Sequence, residues 1–249
     1  MSSTYRIKYR PNGFTQFIGL KPILPTIESI VRRKRIAPVI ISGNNGSGKS
    51  TLLEILGRRL ACTAPIGLDP CNACEACRSL DIRRGGVDVF AYSGIELSRN
   101  LISSLKRDLD FYPMINSIHT VIIDDLDHGQ SSMLNHLIRL MEINEEMLFL
   151  FTATRLKNIP NPLLQRCMRI SLDNYAPESL KAFVRHISEL EGIDLFSETA
   201  LEDLIELSDR NPRSILNALE AIKDNGLSIS QSALDNQNVR DNLGGDVYE

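Results

Sequence analysis

The sequence predicts an α/β domain built on a parallel sheet, followed by a small helical domain, and three observations carry that reading. Four short apolar runs, Val39 to Ser42, Val87 to Ala91, Thr120 to Ile123 and Met147 to Thr152, punctuate the first two-thirds of the chain. Helical stretches separate them (Leu52 to Ala61, Arg99 to Leu109, Ser131 to Met141), and this alternation indicates parallel strands buried on both faces. From about Asp173 the character changes: Pro177 to Glu191, Glu198 to Leu207 and Arg213 to Lys223 have helical periodicity, and no further strand run follows. The expected division is 1–172 for the α/β domain, 173–235 for the helical domain and 236–249 for a loose, polar tail carrying Gly244-Gly245.

Composition bounds the function. The 249 residues are 43% hydrophobic and 24% charged, enough for one large core or two modest ones. The longest apolar runs, Pro38-Val39-Ile40-Ile41 and Met147-Leu148-Phe149-Leu150-Phe151, are far too short to cross a bilayer. The N-terminus has no apolar signal-like region, so the expectation is a cytoplasmic protein with no membrane partner. A net charge of −3 argues against tight DNA binding by this chain alone, since phosphate neutralisation needs clustered Lys and Arg. The one dense basic run, Arg32-Arg33-Lys34-Arg35, is explained equally by a solvated helix end and by a contact site.

Gly43-Asn44-Asn45-Gly46-Ser47-Gly48-Lys49-Ser50 fits the phosphate-loop pattern G-x-x-x-x-G-K-[ST], with an apolar strand before it and a helix from Thr51 after it. The glycines let the backbone wrap phosphates, so that N–H groups and the helix N-terminus face the anion. Lys49 is expected to reach the β- and γ-phosphates of ATP, and the Ser50 hydroxyl to ligate Mg²⁺. Val121-Ile122-Ile123-Asp124-Asp125 is an apolar strand ending in two carboxylates. Alone it reads as a strand running into an acidic turn, with Asp127 close by. Beside a phosphate loop it reads as the metal-side acid, Asp124, followed by the residue that polarises the attacking water, Asp125.

Cys62, Cys71, Cys74 and Cys77 follow C-x8-C-x2-C-x2-C. In a reducing compartment such a cluster is a metal site, and four thiolates with no open position describe a structural Zn²⁺ module over about 62–80. Cys167 lies far away and is not counted as a ligand. The four histidines (119, 128, 136 and 186) are scattered without ligand spacing and read as structural.

With these motifs in order, the sequence resembles the AAA+ clamp-loader ATPases and, within them, the gamma/tau subunits of bacterial DNA polymerase III. The resemblance runs from about Tyr5 to Ile222. Lys8-Tyr9-Arg10-Pro11 with Phe14, Phe17, Ile18 and Gly19 resembles the family's opening box, with Leu20 where Gln is usual. The resemblance implies that Tyr9, Arg10, Pro11, Ile18 and Gly19 pack around the adenine. The family places zinc cysteines just after the phosphate-loop helix, as here.

Phe151-Thr152-Ala153-Thr154 resembles the strand whose end residue, here Thr154, senses the γ-phosphate; read blindly it is an ordinary strand-end hydroxyl. Leu163-Leu164-Gln165-Arg166-Cys167 resembles the L-x-S-R-C box, with Gln165 for Ser. The resemblance implies that Arg166 acts in trans on a neighbour's ATP; the other reading is a surface ion pair. Arg213 stands where the helical lid offers a second sensor arginine, and its place at a helix N-terminus, against the dipole, favours a functional reason. Asp125 departs from the family's usual Glu by one methylene, which weakens the expectation of fast hydrolysis and leaves binding untouched.

The implied function is an ATP-binding and ATP-hydrolysing subunit of a hetero-oligomeric ring that loads a sliding clamp onto primer-template DNA. The alternative is a nucleotide-gated structural subunit with little turnover. An AAA+ remodeller outside replication is a third reading, against which the cysteine loop argues. Family members usually continue into a helical collar domain, and the sequence stops near the lid, as a shortened relative or a truncated chain would.

Overall fold

In the computed structural model, the described residues are 4–32, 37–82, 84–86, 88–114, 119–143, 147–173, 175–195 and 197–243. Tyr5–Lys8 (α1) and Leu24–Arg32 (α2) precede the first strand, Val39–Ser42 (β1). Lys49–Ala61 (α3) and Glu75–Ser79 (α4) lead to Val89–Ser93 (β2), and Arg99–Leu109 (α5) leads to Thr120–Asp124 (β3). Ser131–Ile143 (α6) precedes Leu148–Ala153 (β4), and Asn161–Arg166 (α7) precedes Met168–Ser171 (β5). Among the described residues, five helices follow: Pro177–Glu191 (α8), Glu198–Leu207 (α9), Pro212–Asp224 (α10), Gln231–Leu234 (α11) and Gln237–Leu243 (α12).

The five strands form one sheet in the order β2-β3-β4-β1-β5, and every neighbouring pair is parallel. Side chains alternate between its faces, as the twofold repeat of a strand requires. Ile40, Val121, Ile123, Phe149 and Phe151 pack on one face with α5, α6 and α7. Val39, Ile41, Ile122, Leu148, Leu150 and Ile170 pack on the other with α2, α3 and the aromatic residues Phe14 and Phe17. Burial on both faces explains why β1, β3 and β4 are continuous apolar runs in the sequence.

The strand that the sequence hid is β5. Its residues Met-Arg-Ile-Ser bury only Ile170, because it is an edge strand lying beside β1 alone. β2 runs two residues further than its apolar run, to Ser93, and Val87 lies outside the described residues. The expected loose tail is also corrected: α12 is helical from Gln237 to Leu243, and Val239 and Leu243 are buried in the helical core. Residues 244–249, and Arg33, Lys34 and Arg35 of the basic run, lie outside the described residues; Arg32 pairs with Glu28 one turn back in α2 at 3.2 Å.

The C-terminal helices have their own core, and the N-terminal arm joins it. Tyr5 is buried there, with Tyr9 and Ile18 packed against it. The arm therefore belongs by packing to the helical part as well as to the α/β part that precedes it. Among the described residues no helix is long and apolar enough to cross a membrane.

Phe151 is fully buried in β4 at the centre of the sheet. Phe151→Ala is expected to lower unfolding stability by about 3–5 kcal/mol, through lost apolar burial and the cavity left behind. Urea titration followed by circular dichroism checks this.

Candidate functional site

The loop between β1 and α3 turns at two glycines with left-handed backbone, Gly46 (φ 83°) and Gly48 (φ 92°), a conformation that costs glycine nothing. Gly48 also lets Phe17 come close, since a Cβ there would sit 3.0 Å from the ring's Cζ. Lys49 starts α3 and is only 6% exposed. Its ammonium donates to Gly43 O at 2.8 Å, Asn44 O at 3.2 Å and Thr154 Oγ1 at 3.0 Å. Burial pulls its pKa below the usual lysine value, and the carboxylates of Asp125, Asp124 and Asp127 oppose that shift.

Those carboxylates sit where β3 ends. Asp124 accepts from Ser50 Oγ at 3.0 and 3.1 Å, so the two expected metal-side groups are hydrogen-bonded to each other. It also accepts from Thr152 Oγ1 of β4, which in turn accepts from the Asp125 amide at 2.8 Å. Asp125 has left-handed backbone (φ 51°, ψ 50°). Burial first, and the adjacent Asp124 second, raise its carboxyl pKa. The nearby Asp127 serves the backbone instead, and its two oxygens accept from the amides of Thr154 at 3.0 Å and Arg155 at 2.9 Å. It thereby holds the end of β4, where Thr154 meets both Lys49 and, at 3.3 Å, Asn45 Oδ1. The hard oxygen donors Ser50 and Asp124 fit a divalent cation of the Mg²⁺ type.

A cleft of about 470 Å³ opens between the phosphate loop, the N-terminal arm and α10. Of the residues expected around a nucleotide, Tyr9, Arg10, Pro11, Ile18, Gly46, Ser47, Gly48, Thr51 and Arg213 line it. Gly43, Asn44, Asn45, Lys49 and Ser50 are not among the residues that line it, and Gly19 (φ 65°) is pressed against the Tyr175 ring. Phe183 and Leu216 from the helical part also line the cleft, unforeseen because nothing in their helical periodicity distinguishes them from core.

Two more residues escaped the sequence. Tyr175 donates to Ser47 O at 2.6 Å, and the Asn211 amide donates to Asn45 O while its oxygen accepts from Arg213 N at 3.0 Å. Asn211 is the N-cap of α10, and Asn before Pro at a helix start was the available signal; for Tyr175 there was none.

Arg166 lies elsewhere. It ends α7, two residues before Met168, which pairs with Val39 at the start of β1, whereas the phosphate loop follows Ser42 at the other end. Its guanidinium pairs with Glu142 of α6 and donates to Pro162 O at 2.9 Å. The structure thus contains the ion pair of the plainer reading, and it separates Arg166 from the chain's own phosphate loop.

The four cysteine sulfurs of residues 62, 71, 74 and 77 all lie within 4.8 Å of one another. A tetrahedral ion about 2.3 Å from each thiolate needs sulfurs about 3.8 Å apart, so the donor set fits zinc. Amides surround these sulfurs: Cys71 N donates to Cys62 Sγ at 3.3 Å, Cys74 N to Cys71 Sγ at 3.3 Å and Cys77 N to Cys74 Sγ at 3.5 Å. The amides of Ala73 and Cys74 pull the Cys71 thiol below its ordinary value. Burial raises Cys74, but hydrogen bonds from the amides and side chains of Thr63 and Cys77 outweigh it and bring the thiol down to about 6. Cys167 stands apart, its thiol pushed up to about 12 by burial.

Comparison with known proteins supplies the family. Residues 20–176 match the family described as DNA polymerase III, delta subunit. The chain belongs to that family. The matched span contains the whole sheet, the phosphate loop and the cysteine cluster. The DNA polymerase III subunit gamma of Buchnera aphidicola subsp. Acyrthosiphon pisum is 28% identical over 243 residues, covering 95% of this chain. The chain spans 65% of that relative's length, just under two thirds. The resemblance drawn from the motifs is thereby borne out.

Among solved structures, the Thermotoga maritima RuvB Holliday junction branch migration motor superposes with a TM-score of 0.62 at 17% identity, over 94% of this chain and 72% of that one. Domain III of the Thermotoga maritima replication initiation protein DnaA does so with 0.61 at 18%, over 93% and 97%. At these identities the likeness is one of fold: a parallel α/β sheet domain followed by helices.

The raised Asp125 carboxyl gives a signed prediction. Its proton is held more tightly folded than unfolded, so stability falls as pH rises from the ordinary carboxylate value of 3.8 through the folded value. Asp125→Asn is expected to raise the melting temperature at pH 7 and to lose this advantage below about pH 4, as thermal melts across pH would show.

Proposed function

We propose that this chain is the nucleotide-dependent subunit of a DNA-replication clamp loader, an AAA+ ATPase that acts with other subunits in a hetero-oligomeric ring. The observation that carries this reading is convergence: Lys49, Ser50, Asp124 and Thr154, from three separated segments, meet within hydrogen-bond distance beside a phosphate loop. The 28% identical gamma subunit supports the replicative setting. In this reading residues 1–172 bind ATP, residues 173–235 form a lid, and the ring's work is to place a sliding clamp on primer-template DNA.

The adenine lies in the cleft among Tyr9, Arg10, Pro11 and Ile18, and the phosphates lie on the loop amides. Ser50 and Asp124 hold Mg²⁺, which when bound neutralises phosphate charge. Asp125 orients the attacking water, Thr154 and Lys49 contact the γ-phosphate, and Arg213 reports the nucleotide to the lid. Arg166 completes the neighbour's site, consistent with its place at the far end of the sheet. Cys62, Cys71, Cys74 and Cys77 hold a structural zinc.

The low-turnover alternative has an observation in its favour. Asp125 combines the shorter carboxylate with a left-handed backbone, and both limit how far it reaches toward an attacking water. Steady-state ATPase with and without primed DNA and partner subunits separates a switch that turns over from one that only binds.

Lys49→Ala is expected to weaken MgATP binding by about 10- to 100-fold, the worth of charge-assisted hydrogen bonds to phosphate, and to leave the fold intact. Wild-type affinity in calorimetric titration would place the nucleotide elsewhere. Arg166→Ala chains should keep their own ATP affinity while turnover at the neighbour's site falls by about 10³-fold or more. Mixing them with Asp125→Ala chains should recover activity at interfaces where both residues are intact; no recovery in an intact assembly would reduce Arg166 to its ion pair. Elemental analysis should find about one zinc per chain.

A further inference from the structure

We infer that Asp69, inside the cysteine loop, is a positioning residue for the base-binding wall of the nucleotide cleft, so that the shape of that loop sets how tightly the base is held. This rests on the nucleotide reading of the cleft and adds to it a route from the thiolate cluster to the nucleotide.

The wall in question is the single helical turn Phe14–Gln16 and the residues after it. Gln16, Phe17 and Ile18 all line the cleft. A turn this short has no helix of its own to satisfy its first amides. Asp69 supplies the acceptors from 55 residues away: Oδ1 accepts from Phe14 N at 2.5 Å and Thr15 N at 3.2 Å, and Oδ2 accepts from Thr15 Oγ1 at 2.5 Å. Three donors of one turn thus converge on one carboxylate. The approach depends on Gly13, where a Cβ would lie 2.8 to 2.9 Å from the carboxylate atoms. A second tether lies just beyond: Asn72 donates to Asn12 O at 3.0 Å.

Asp69 is fixed by the loop that carries it. Its backbone exchanges both hydrogen bonds with Ile66 at 3.0 Å. Two residues later Cys71 donates its amide to Cys62 Sγ. Cys62, Cys71 and the two cysteines after them therefore bracket the segment from which Asp69 and Asn72 reach the arm. A thiolate cluster closed on a metal holds that segment without a core of its own.

The phosphate subsite is built differently. Its contacts come from the 43–50 loop and Lys49, which Asp69 does not touch. The two halves of the cleft can therefore be told apart by ligand. Loss of Asp69 loosens the wall against the base and leaves the phosphate loop in place.

The test is calorimetric titration of the full chain with ATP and, separately, with inorganic tripolyphosphate, alongside zinc content. Asp69→Ala is expected to lower ATP affinity by about tenfold or more, with tripolyphosphate affinity and zinc content unchanged. Asp69→Asn keeps an acceptor for the two amides and should fall between. Chelating zinc from the wild type should give the same base-selective loss, with little further loss in Asp69→Ala. Should Asp69→Ala fail to fold, Asn72→Ala removes the second tether alone and should show a smaller, still base-selective loss. Wild-type ATP affinity in either folded variant, or an equal loss for both ligands, overturns the inference. Failure of the wild type to bind ATP or tripolyphosphate at all would instead overturn the nucleotide reading beneath it.

Discussion

A buried ammonium at the strand ends sets the terms for everything around it. Lys49 loses almost all contact with water, and a lone buried charge would cost several kcal/mol. Two loop carbonyls, the Thr154 hydroxyl and three carboxylates make that burial tolerable. Each is delivered by the C-terminal end of a different parallel strand: β1 for the loop, β3 for the acids and β4 for Thr154. Only a parallel sheet brings those three ends to one edge. The acids then need partners of their own. Asp124 takes two hydroxyls and Asp127 takes two amides, while Asp125, buried beside them, has its carboxyl pKa raised.

The second constraint is that the arm must be held from both sides, because it has too little structure to stand alone. On the sheet side, Asp69 and Asn72 of the cysteine loop grip the turn at residues 12–15. On the helical side, Glu191 at the end of α8 accepts from Lys8 Nζ at 2.6 Å and from the Tyr9 hydroxyl. These bonds hold the Glu191 carboxyl below its usual pKa. The helical part also engages the phosphate loop through Tyr175 and Asn211, and both bonds end on loop carbonyls, the groups a phosphate does not need. A nucleotide in the cleft would therefore be enclosed by contacts that already exist.

The sequence made the doubly buried strands and the phosphate loop legible because each obeys a local rule: continuous apolar runs for strands without a wet face, and glycines where the backbone must turn around an anion. Boundaries of α5, α8 and α9 were legible for the same reason, since each amphipathic pattern has clear ends. β5 was not, because an edge strand with Arg169 exposed has no run to detect. Neither was α12, whose buried Val239 and Leu243 are too few to outweigh its polar neighbours in a short window. Asp69, Asp127 and Tyr175 were illegible for a deeper reason. Their partners lie between 27 and 128 positions away, and no local pattern records a hydrogen bond across the fold.

Arg166 shows how a structural contact and a proposed functional one can share a residue. Its pair with Glu142 leaves the two side chains 42% and 49% exposed. Exposed pairs contribute about 0–1 kcal/mol, because water and salt screen both charges in any case. Giving up Glu142 for a neighbour's γ-phosphate would therefore cost little, whereas a guanidinium brought against phosphate charge in a closed interface gains far more. The ion pair is also a rest position. Glu142 holds one side of the guanidinium, and Pro162 O, one turn earlier, holds the other. An arginine buried in a strong internal pair would be a poor finger, since its release would cancel the gain. The weakness of this contact is what leaves the trans role open to it.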